Sequence, residues 1–343
     1  MVSAGVQYQE AFIVNDRGVQ QFVCSWLPAD QEPRALVFMC HGYGMECSVF
    51  MKDNGERLAR AGYAVYGIDY EGHGKSSGKK CYIRSFATLV SDCTTYFLGI
   101  QDREEYKGKA SFLYGESMGG AVALLVSRKE PTRWNGMVLV APMCKIAPKM
   151  RPPPVVIATL TKLASVIPTW KIVPGGDVYD LAFKLKDKRE KIRANKLLYH
   201  GRPRVRTALE MYRASCDLES RLDEVTLPFL VLHGAADMVT EPEVSEALYI
   251  QALSQDKQFK KYEGLWHGLT AAESDEDVDM VFTDIINWLN ERSSPTSSAG
   301  ASGSSSPICH SDLSALETDT KQPKDGSWSL SESGFRDHQD ESQ

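Results

Sequence analysis

Short apolar runs recur along the chain, each flanked by longer segments in which polar and apolar residues mix. Runs this short and almost entirely apolar predict strands that are buried on both faces of a sheet. The predicted strands are residues 35–40, 63–68, 111–114, 137–140 and 229–232. The segments between them are long enough for helices. This alternation predicts an α/β fold, with a mostly parallel central sheet and helices on both faces.

Three further patterns complete the predicted core. Residues 10–26 form two extended runs around the turn sequence Asn-Asp-Arg-Gly at 15–18, which predicts a hairpin. Residues 258–262 predict another strand, and residues 277–291 a final helix. The hairpin precedes the strand–helix alternation, and the last two elements close it.

The alternation stops between residues 141 and 227. A proline cluster opens this interval, and Val156, Leu160, Leu163 and Ile167 then recur at helical spacing, which predicts one apolar helix face. An interval of this length between two strands predicts an inserted helical cap. The predicted domains are therefore an α/β core (1–142 and 222–292), the cap (143–221) and a tail (293–343).

The tail has a composition unlike the rest of the chain. It holds 15 serines among 51 residues, with eight acidic and three basic residues. Such a sequence buries too little apolar surface to offset the cost of ordering, so disorder is predicted. The tail carries −5 of the total charge of −6, which leaves −1 on the body. A nearly neutral body without basic blocks argues against a nucleic-acid partner.

The remaining composition excludes several other classes. The first ten residues have no basic and apolar signal pattern, and no run of about 18 apolar residues predicts a membrane span. The eight cysteines show no C-x-x-C pair, which favours free thiols and a cytoplasmic location. The pattern indicates neither a metal nor a cofactor. The cysteines are residues 24, 40, 47, 81, 93, 144, 216 and 309.

A serine flanked by glycines follows the predicted strand 111–114. The sequence G-E-S-M-G-G at residues 115–120 is typical of a nucleophile elbow, a turn too tight for Cβ atoms beside the serine. The following helix N-terminus favours negative charge that develops there. The alternative is a glycine-rich turn with an N-cap serine. The strand–turn–helix context favours Ser117 as the nucleophile, with Gly115 and Gly119 as the elbow glycines.

A serine nucleophile needs a base and a carboxylate that orients the base. On this architecture the expected chain order is serine, acid, histidine. Asp237 follows the predicted strand 229–232, and His267 follows the predicted strand 258–262. Both therefore lie at the sheet edge that carries Ser117. Order and placement together predict a catalytic triad of Ser117, Asp237 and His267.

Other polar residues compete for these roles. Asp69 is the second candidate for the acid, but it precedes Ser117 and breaks the expected order. His73 and His233 are interpreted as hydrogen-bonded structural residues. His200, within the interval, has no partner that the sequence identifies.

An oxyanion formed by serine attack needs two hydrogen-bond donors. The backbone N–H of Met118, next after the nucleophile, supplies one of them. The turn His41-Gly-Tyr-Gly44 follows the predicted strand 35–40 and can present a second amide, that of Tyr43. The alternative is a simple turn that ends the strand.

With these residues in place, residues 12–291 resemble the serine-lipase branch of the α/β-hydrolase fold that contains monoacylglycerol lipases and lysophospholipases. Within this branch the chain is most similar to the plant monoacylglycerol-lipase-like group, which includes caffeoylshikimate esterases. The resemblance rests on five features. They are H-G-Y-G (41–44), G-H-G-K-S (72–76), G-E-S-M-G-G (115–120), H-G-A-A-D (233–237) and His267.

The resemblance implies that the cap shapes an apolar acyl channel and touches the lipid surface. In animal and many bacterial relatives an acidic and a basic residue near the glycerol end follow the oxyanion turn. Here Met45 and Val49 stand at those positions, which favours a different alcohol portion. The apolar residues of the cap helix either contact lipid or pack on the core and line the channel.

Three functions fit these patterns. The first is a carboxylic-ester hydrolase acting on monoacylglycerol or lysophospholipid through an acyl-enzyme on Ser117. The second is an esterase for hydroxycinnamoyl esters such as caffeoylshikimate. The third is a ligand-binding receptor or scaffold on the same fold. A dehalogenase or epoxide hydrolase is disfavoured, because those enzymes carry an aspartate at the elbow.

Overall fold

The computed structural model describes residues 2–3, 5–146, 151–172 and 178–293. Nine strands within these residues form one sheet, in the order β1-β2-β3-β5-β4-β6-β7-β8-β9. The strands are β1 (Val2–Ser3), β2 (Val6–Val14), β3 (Gln20–Pro28), β4 (Ala35–Cys40), β5 (Tyr63–Ile68), β6 (Ala110–Glu116), β7 (Gly136–Val140), β8 (Phe229–Gly234) and β9 (Lys257–Tyr262).

The strands from β5 across to β9 are parallel, and β1, β2 and β3 add to one edge in antiparallel pairs. This arrangement confirms the predicted mostly parallel sheet. The hairpin is longer than the predicted range 10–26, because β2 and β3 pair from Val6 opposite Pro28 to Val14 opposite Gln20. The carboxyl ends of β6, β8 and β9 meet at one sheet edge, where the loops of interest begin.

Helices cover both faces of the sheet. They are α1 (Lys52–Arg60), α2 (Phe86–Gln101), α3 (Met118–Lys129), α4 (Pro154–Val166), α5 (Val178–Ala182), α6 (Lys186–Arg193), α7 (Val205–Glu219), α8 (Pro242–Gln251) and α9 (Asp275–Ser293), with short 3-10 helices at Glu104–Tyr106 and Leu222–Glu224. Side chains alternate along β4: Leu36 and Phe38 face α2 and α3, whereas Val37 and Met39 face α1 and α9. The result is a three-layer α/β core.

Helices α4 to α7 lie between β7 and β8, where the sequence predicts the cap. The predicted apolar face of α4 is correct only in part. Leu160 and Leu163 pack with Val205 and Leu209 of α7, but Val156 is 41% exposed. Periodicity identified the helix, and the neighbouring helix α7 determines which apolar residues are covered.

The core and the insertion pack as one compact unit. The domain boundaries at residues 143, 221 and 292 stay predictions, and the predicted disordered tail lies outside the described residues from residue 294 onward. No helix in the described ranges combines the length and apolar character needed to cross a membrane. The seven cysteines within the described ranges are free thiols.

Candidate active site

Ser117 lies on the turn between β6 and α3, with φ +54° and ψ −119°. A positive φ is rare for a residue with a Cβ and marks backbone strain. Hydrogen bonds hold the turn in place: the Ser117 amide donates to the Val140 carbonyl, and the Ser117 carbonyl accepts from Gly120 and Met143. The Ser117 hydroxyl makes no capping hydrogen bond to α3. The geometry is therefore that of a strained elbow rather than of an N-cap serine.

The two elbow glycines are required for steric reasons. A Cβ at Gly119 would overlap the carbonyl oxygen of Cys40 at the end of β4, and a Cβ at Gly115 would overlap the backbone of Gly119. Both side chains would force β4, β6 and α3 apart. Glycine at these positions lets the elbow approach the neighbouring strand closely.

Asp237 and His267 come together at the same sheet edge. Asp237 lies in the β8–α8 loop (residues 235–241) and His267 in the β9–α9 loop (residues 263–274). The Nδ1 atom of His267 lies 2.7 Å from Oδ2 of Asp237. An ionised carboxylate only accepts, so Nδ1 donates and the lone pair is left on Nε2. This arrangement is what a histidine base requires.

Asp237 receives several other donors. Its Oδ1 accepts the amides of Val239 and Thr240 at 2.7 and 3.1 Å, and its Oδ2 accepts from Nε2 of His233 at 3.0 Å. Burial opposes the charge, but the positive charge of His267 and the hydrogen bonds from both histidines outweigh it, and the pKa of Asp237 lies well below its usual range. The acid is thus held ionised in one orientation.

His233 has a more specific place than the sequence indicated. Its Nε2 faces both Asp237 and the Thr240 carbonyl oxygen at 2.7 Å, so this nitrogen carries the proton, and Nδ1 lies 2.7 Å from the Ser245 hydroxyl. Asp237 therefore bonds two histidines. The structural interpretation of His233 agrees with these contacts, and the contacts put it directly behind the acid.

The two amides predicted to bind an oxyanion flank the elbow. Met118 is the first residue of α3, and an amide at this position has no partner within its helix. Tyr43 lies in the β4–α1 loop (residues 41–51), and no hydrogen bond between backbone groups of the described residues uses its amide as donor. Both N–H groups are therefore available to a ligand.

The competing polar residues are used elsewhere. Asp69 accepts the amides of Cys47 and Lys75 at 2.8 and 2.9 Å, so it fixes loops next to β5 rather than a histidine. His73 is buried with Nδ1 against the Glu71 carbonyl. His200 lies in the insertion with its ring 5.0 Å from that of Tyr179.

Two buried glutamates were not singled out from the sequence. Glu46 follows Met45 in the β4–α1 loop and accepts from the Ser48 hydroxyl and from the amides of Val49 and Phe50. Glu116 occupies the variable position before Ser117. Each glutamate combines nearby donors with one or more from distant parts of the chain, and a single sequence does not reveal such a combination.

The insertion is bonded to two of the site loops. The Tyr199 amide donates to the Gly44 carbonyl, and the Asn195 side chain donates to Glu46 at 2.9 Å. On the other side the Gly268 amide donates to the Ala182 carbonyl. The end of α5 therefore supports the β9–α9 loop, and the segment after α6 supports the β4–α1 loop.

Residues 31–275 match the family described as serine aminopeptidase, S33. The chain belongs to this family. The S33 match spans the core strands from β4 to β9 and the insertion between them.

This S33 protein matches two kinds of named enzyme over most of their length. Caffeoylshikimate esterase of Arabidopsis thaliana is 34% identical over 291 residues, which cover 84% of this chain and 87% of that one. Human monoglyceride lipase is 30% identical over 297 residues, which cover 86% and 95%. Both groups are carboxylic-ester hydrolases, and this S33 protein is one as well.

The solved structures agree on the fold. A soluble variant of monoglyceride lipase from Saccharomyces cerevisiae, in complex with a substrate analog, superposes with a TM-score of 0.72 at 21% identity and covers 83% of this chain and 94% of that one. The α/β-hydrolase fold predicted from the motifs is therefore confirmed.

Proposed function

We propose that Ser117, His267 and Asp237 form the catalytic triad of this S33 hydrolase and that the amides of Tyr43 and Met118 form its oxyanion hole. The hydrogen bond of 2.7 Å between His267 and Asp237 supports this assignment. The strained backbone of Ser117, at the sheet edge to which both loops return, supports it as well.

The chemistry follows from this placement. Ser117 Oγ attacks the ester carbonyl carbon while Nε2 of His267 takes the hydroxyl proton, and the carbonyl oxygen becomes an oxyanion held by two amides. The bond to the alcohol oxygen then breaks, and the leaving alkoxide takes the proton from His267. Water then attacks the acyl-Ser117 ester while His267 takes one of its protons. The bond from the acyl carbon to Ser117 Oγ breaks, Oγ takes that proton from His267, and the acid leaves. These steps need no cofactor.

We propose a monoacylglycerol or a lysophospholipid as the substrate. Apolar side chains exposed on the insertion support this choice, because exposed apolar surface of this kind binds lipid interfaces reversibly. Val155 and Val166 at the two ends of α4 are 70% and 79% exposed, and Trp170 just beyond is 58% exposed. The protein would then be a cytoplasmic enzyme that rests peripherally on a lipid surface while it takes one acyl chain.

A hydroxycinnamoyl ester is the second candidate substrate. It is favoured by the 34% identity to the Arabidopsis esterase and by the β4–α1 loop. Met45 and Val49 offer no charge to a glycerol hydroxyl. The acidic residue of this loop, Glu46, is fully buried and already accepts hydrogen bonds within the protein. An alcohol portion other than glycerol fits this loop.

The nucleophile is tested with Ser117→Ala. We expect a loss of at least about 10³-fold in kcat and no labelling by a fluorophosphonate probe, which reacts with activated serines. Ser127→Ala is the matched control, because this serine lies in α3 and bonds only the Leu124 carbonyl among the described groups. Unchanged ester hydrolysis by Ser117→Ala would exclude the proposed nucleophile.

The substrate class is tested by comparing kcat/KM for a long-chain 1-monoacylglycerol, a lysophosphatidylcholine and caffeoylshikimate with one enzyme preparation. We expect the single-chain lipids to exceed caffeoylshikimate. The reverse order would establish the second candidate and reject the first.

The lipid surface is tested by vesicle sedimentation. Replacing Val155, Val166 and Trp170 together by serine should reduce binding to phosphatidylcholine vesicles and activity on aggregated substrate, while activity on a monomeric ester stays. Ile250→Ser with Leu253→Ser is the matched control, because these residues are 67% and 62% exposed beyond the insertion. Equal vesicle binding by both variants would rule out this surface.

A further inference from the structure

Glu116 is a buried carboxylate directly before the proposed nucleophile. Only 9% of the residue is exposed. Its Oε1 atom accepts three hydrogen bonds: from Nδ2 of Asn54 at 2.8 Å, from the Tyr114 hydroxyl at 2.5 Å and from the Thr270 hydroxyl at 2.8 Å. One oxygen that receives three donors is best served by an ionised carboxylate.

The donors come from three parts of the chain. Asn54 belongs to α1, Tyr114 to the strand β6 of Glu116 itself, and Thr270 to the β9–α9 loop. Thr270 stands three residues after His267 in a loop without regular helix or strand. Such a loop keeps its place through individual contacts rather than through a hydrogen-bond ladder. The Thr270 bond thus joins the loop that carries the base to the strand that carries the nucleophile.

Burying a charge costs free energy unless hydrogen bonds or an opposite charge nearby stabilise it. Burial has the largest effect and raises the pKa of the Glu116 carboxyl above its usual value, although the hydrogen bonds from Tyr114 and Thr270 and the positive charge of His267 act in the opposite direction. The carboxylate therefore depends on its three hydrogen-bond donors, and Thr270 is one of them.

We propose that Glu116 is a positioning residue for His267. The carboxylate holds Thr270, and Thr270 fixes the loop that carries the base. This role rests on the proposed triad and adds a second carboxylate to the support of His267. Asp237 bonds the imidazole directly from the β8–α8 loop, whereas Glu116 acts from the end of β6 through Thr270.

The positional part is tested at Thr270. Thr270→Val keeps the shape and removes the hydroxyl, and we expect kcat on a soluble ester to fall about 10- to 100-fold with little change in KM. Thr270→Ser keeps the hydroxyl and should recover most of the loss. The matched control is Thr94→Val, because Thr94 is also buried but bonds the Val90 carbonyl in α2. A melting temperature for each variant separates misfolding from misplacement.

The carboxylate is tested with Glu116→Gln. Glutamine has nearly the same shape, but its neutral carbonyl oxygen is a weaker acceptor for three donors than a carboxylate oxygen. We therefore expect kcat on the soluble ester to fall with little change in KM, as for Thr270→Val. Asp92→Asn is the control: Asp92 is a buried carboxylate that pairs with Arg17 instead, and its replacement should leave kcat unchanged.

The outcomes separate this inference from the function on which it rests. Folded Thr270→Val and Glu116→Gln variants with unchanged kcat, beside an inactive Ser117→Ala, would overturn the role of Glu116 alone. Full activity of Ser117→Ala would overturn the proposed triad, and the role of Glu116 with it.

Discussion

Gly119 shows how little room surrounds the proposed nucleophile. The residue lies in the first turn of α3 against the carbonyl end of β4, and a single added methyl group would overlap the Cys40 carbonyl oxygen. Backbone cannot rotate away as a flexible side chain can. Catalytic geometry at this turn is therefore limited by backbone packing as well as by side-chain chemistry.

We expect Gly119→Ala to abolish measurable ester hydrolysis and to lower stability by several kcal/mol, because strand β4 and helix α3 must separate. Thermal unfolding and active-site labelling measure both effects. Gly99→Ala is the matched control: Gly99 lies in α2 with open space around its missing Cβ, so alanine should stabilise the helix by up to about 1 kcal/mol. A Gly119→Ala enzyme of normal activity would contradict the overlap.

Sequence patterns identified the proposed site residues where chemistry and chain order coincide. Ser117, Asp237 and His267 each follow a strand, so their placement at one edge could be deduced before any coordinates. The roles of Glu116 and Glu46 could not be deduced, because one partner of each, Asn54 and Asn195, is 62 and 149 residues away. Tertiary packing brings these pairs together. The contact of His233 with Asp237 spans four residues, but it depends on the conformation of the β8–α8 loop.

At the level of elements, the parallel strands β4 to β8 were predictable because each is buried on both faces and forms an apolar run in the sequence. The ends were less predictable: β6 extends to Glu116, past the last apolar residue of its run, because its ladder with β7 continues to Val140. The apolar face of α4 was only half correct for a related reason. A helical period specifies a face, but the neighbour that covers it comes from elsewhere in the chain.

The segment after α6 gives an element-level prediction. Asn195→Ala removes the hydrogen bond that Nδ2 donates to Glu46 and the one that Oδ1 accepts from the Leu197 amide. We expect a loss of about 1–2 kcal/mol in unfolding free energy and a several-fold drop in kcat, because the β4–α1 loop that presents the Tyr43 amide loses a support. Chemical denaturation and turnover of a soluble ester measure the two effects.

The control for this variant is Lys196→Ala, the exposed neighbour of Asn195. It should leave both quantities unchanged. If Asn195→Ala also matched the unaltered enzyme, the insertion would not support the loop.

At the scale of the whole molecule, folding buries two histidines in their neutral form. Burial lowers the pKa of His41 to about 4 and that of His73 to about 3. Below the ordinary histidine pKa of about 6.5, the same two imidazoles are protonated in the unfolded chain but stay neutral in the folded protein. Their contribution to stability is complete above the ordinary histidine pKa and is lost as the pH falls from about 6.5 towards 4 and 3.

We expect each of these histidines to cost about 2 kcal/mol of unfolding free energy between pH 7.5 and pH 5. His73→Phe should reduce that pH-dependent loss by about this amount, as measured by urea unfolding at both pH values. Asp69 acts in the opposite direction, because burial raises its pKa to about 7, so the difference between variant and parent is the quantity to compare. The exposed His200→Ala should retain the full loss, and an equal loss in His73→Phe would contradict the assignment.

Helix α4 differs from the rest of the insertion in what it supports. It packs on α7 through Leu160, Leu163 and Ala164, whereas the segments beyond α5 and α6 bond the loops of the site. Substitutions on the exposed face of α4 can therefore change the surface that this helix presents to other molecules without moving the proposed catalytic residues. The binding surface of α4 and the catalytic chemistry can thus evolve independently. Replacing the exposed residues of α4, while keeping its three inner residues, would alter what the helix binds and leave the chemistry unchanged.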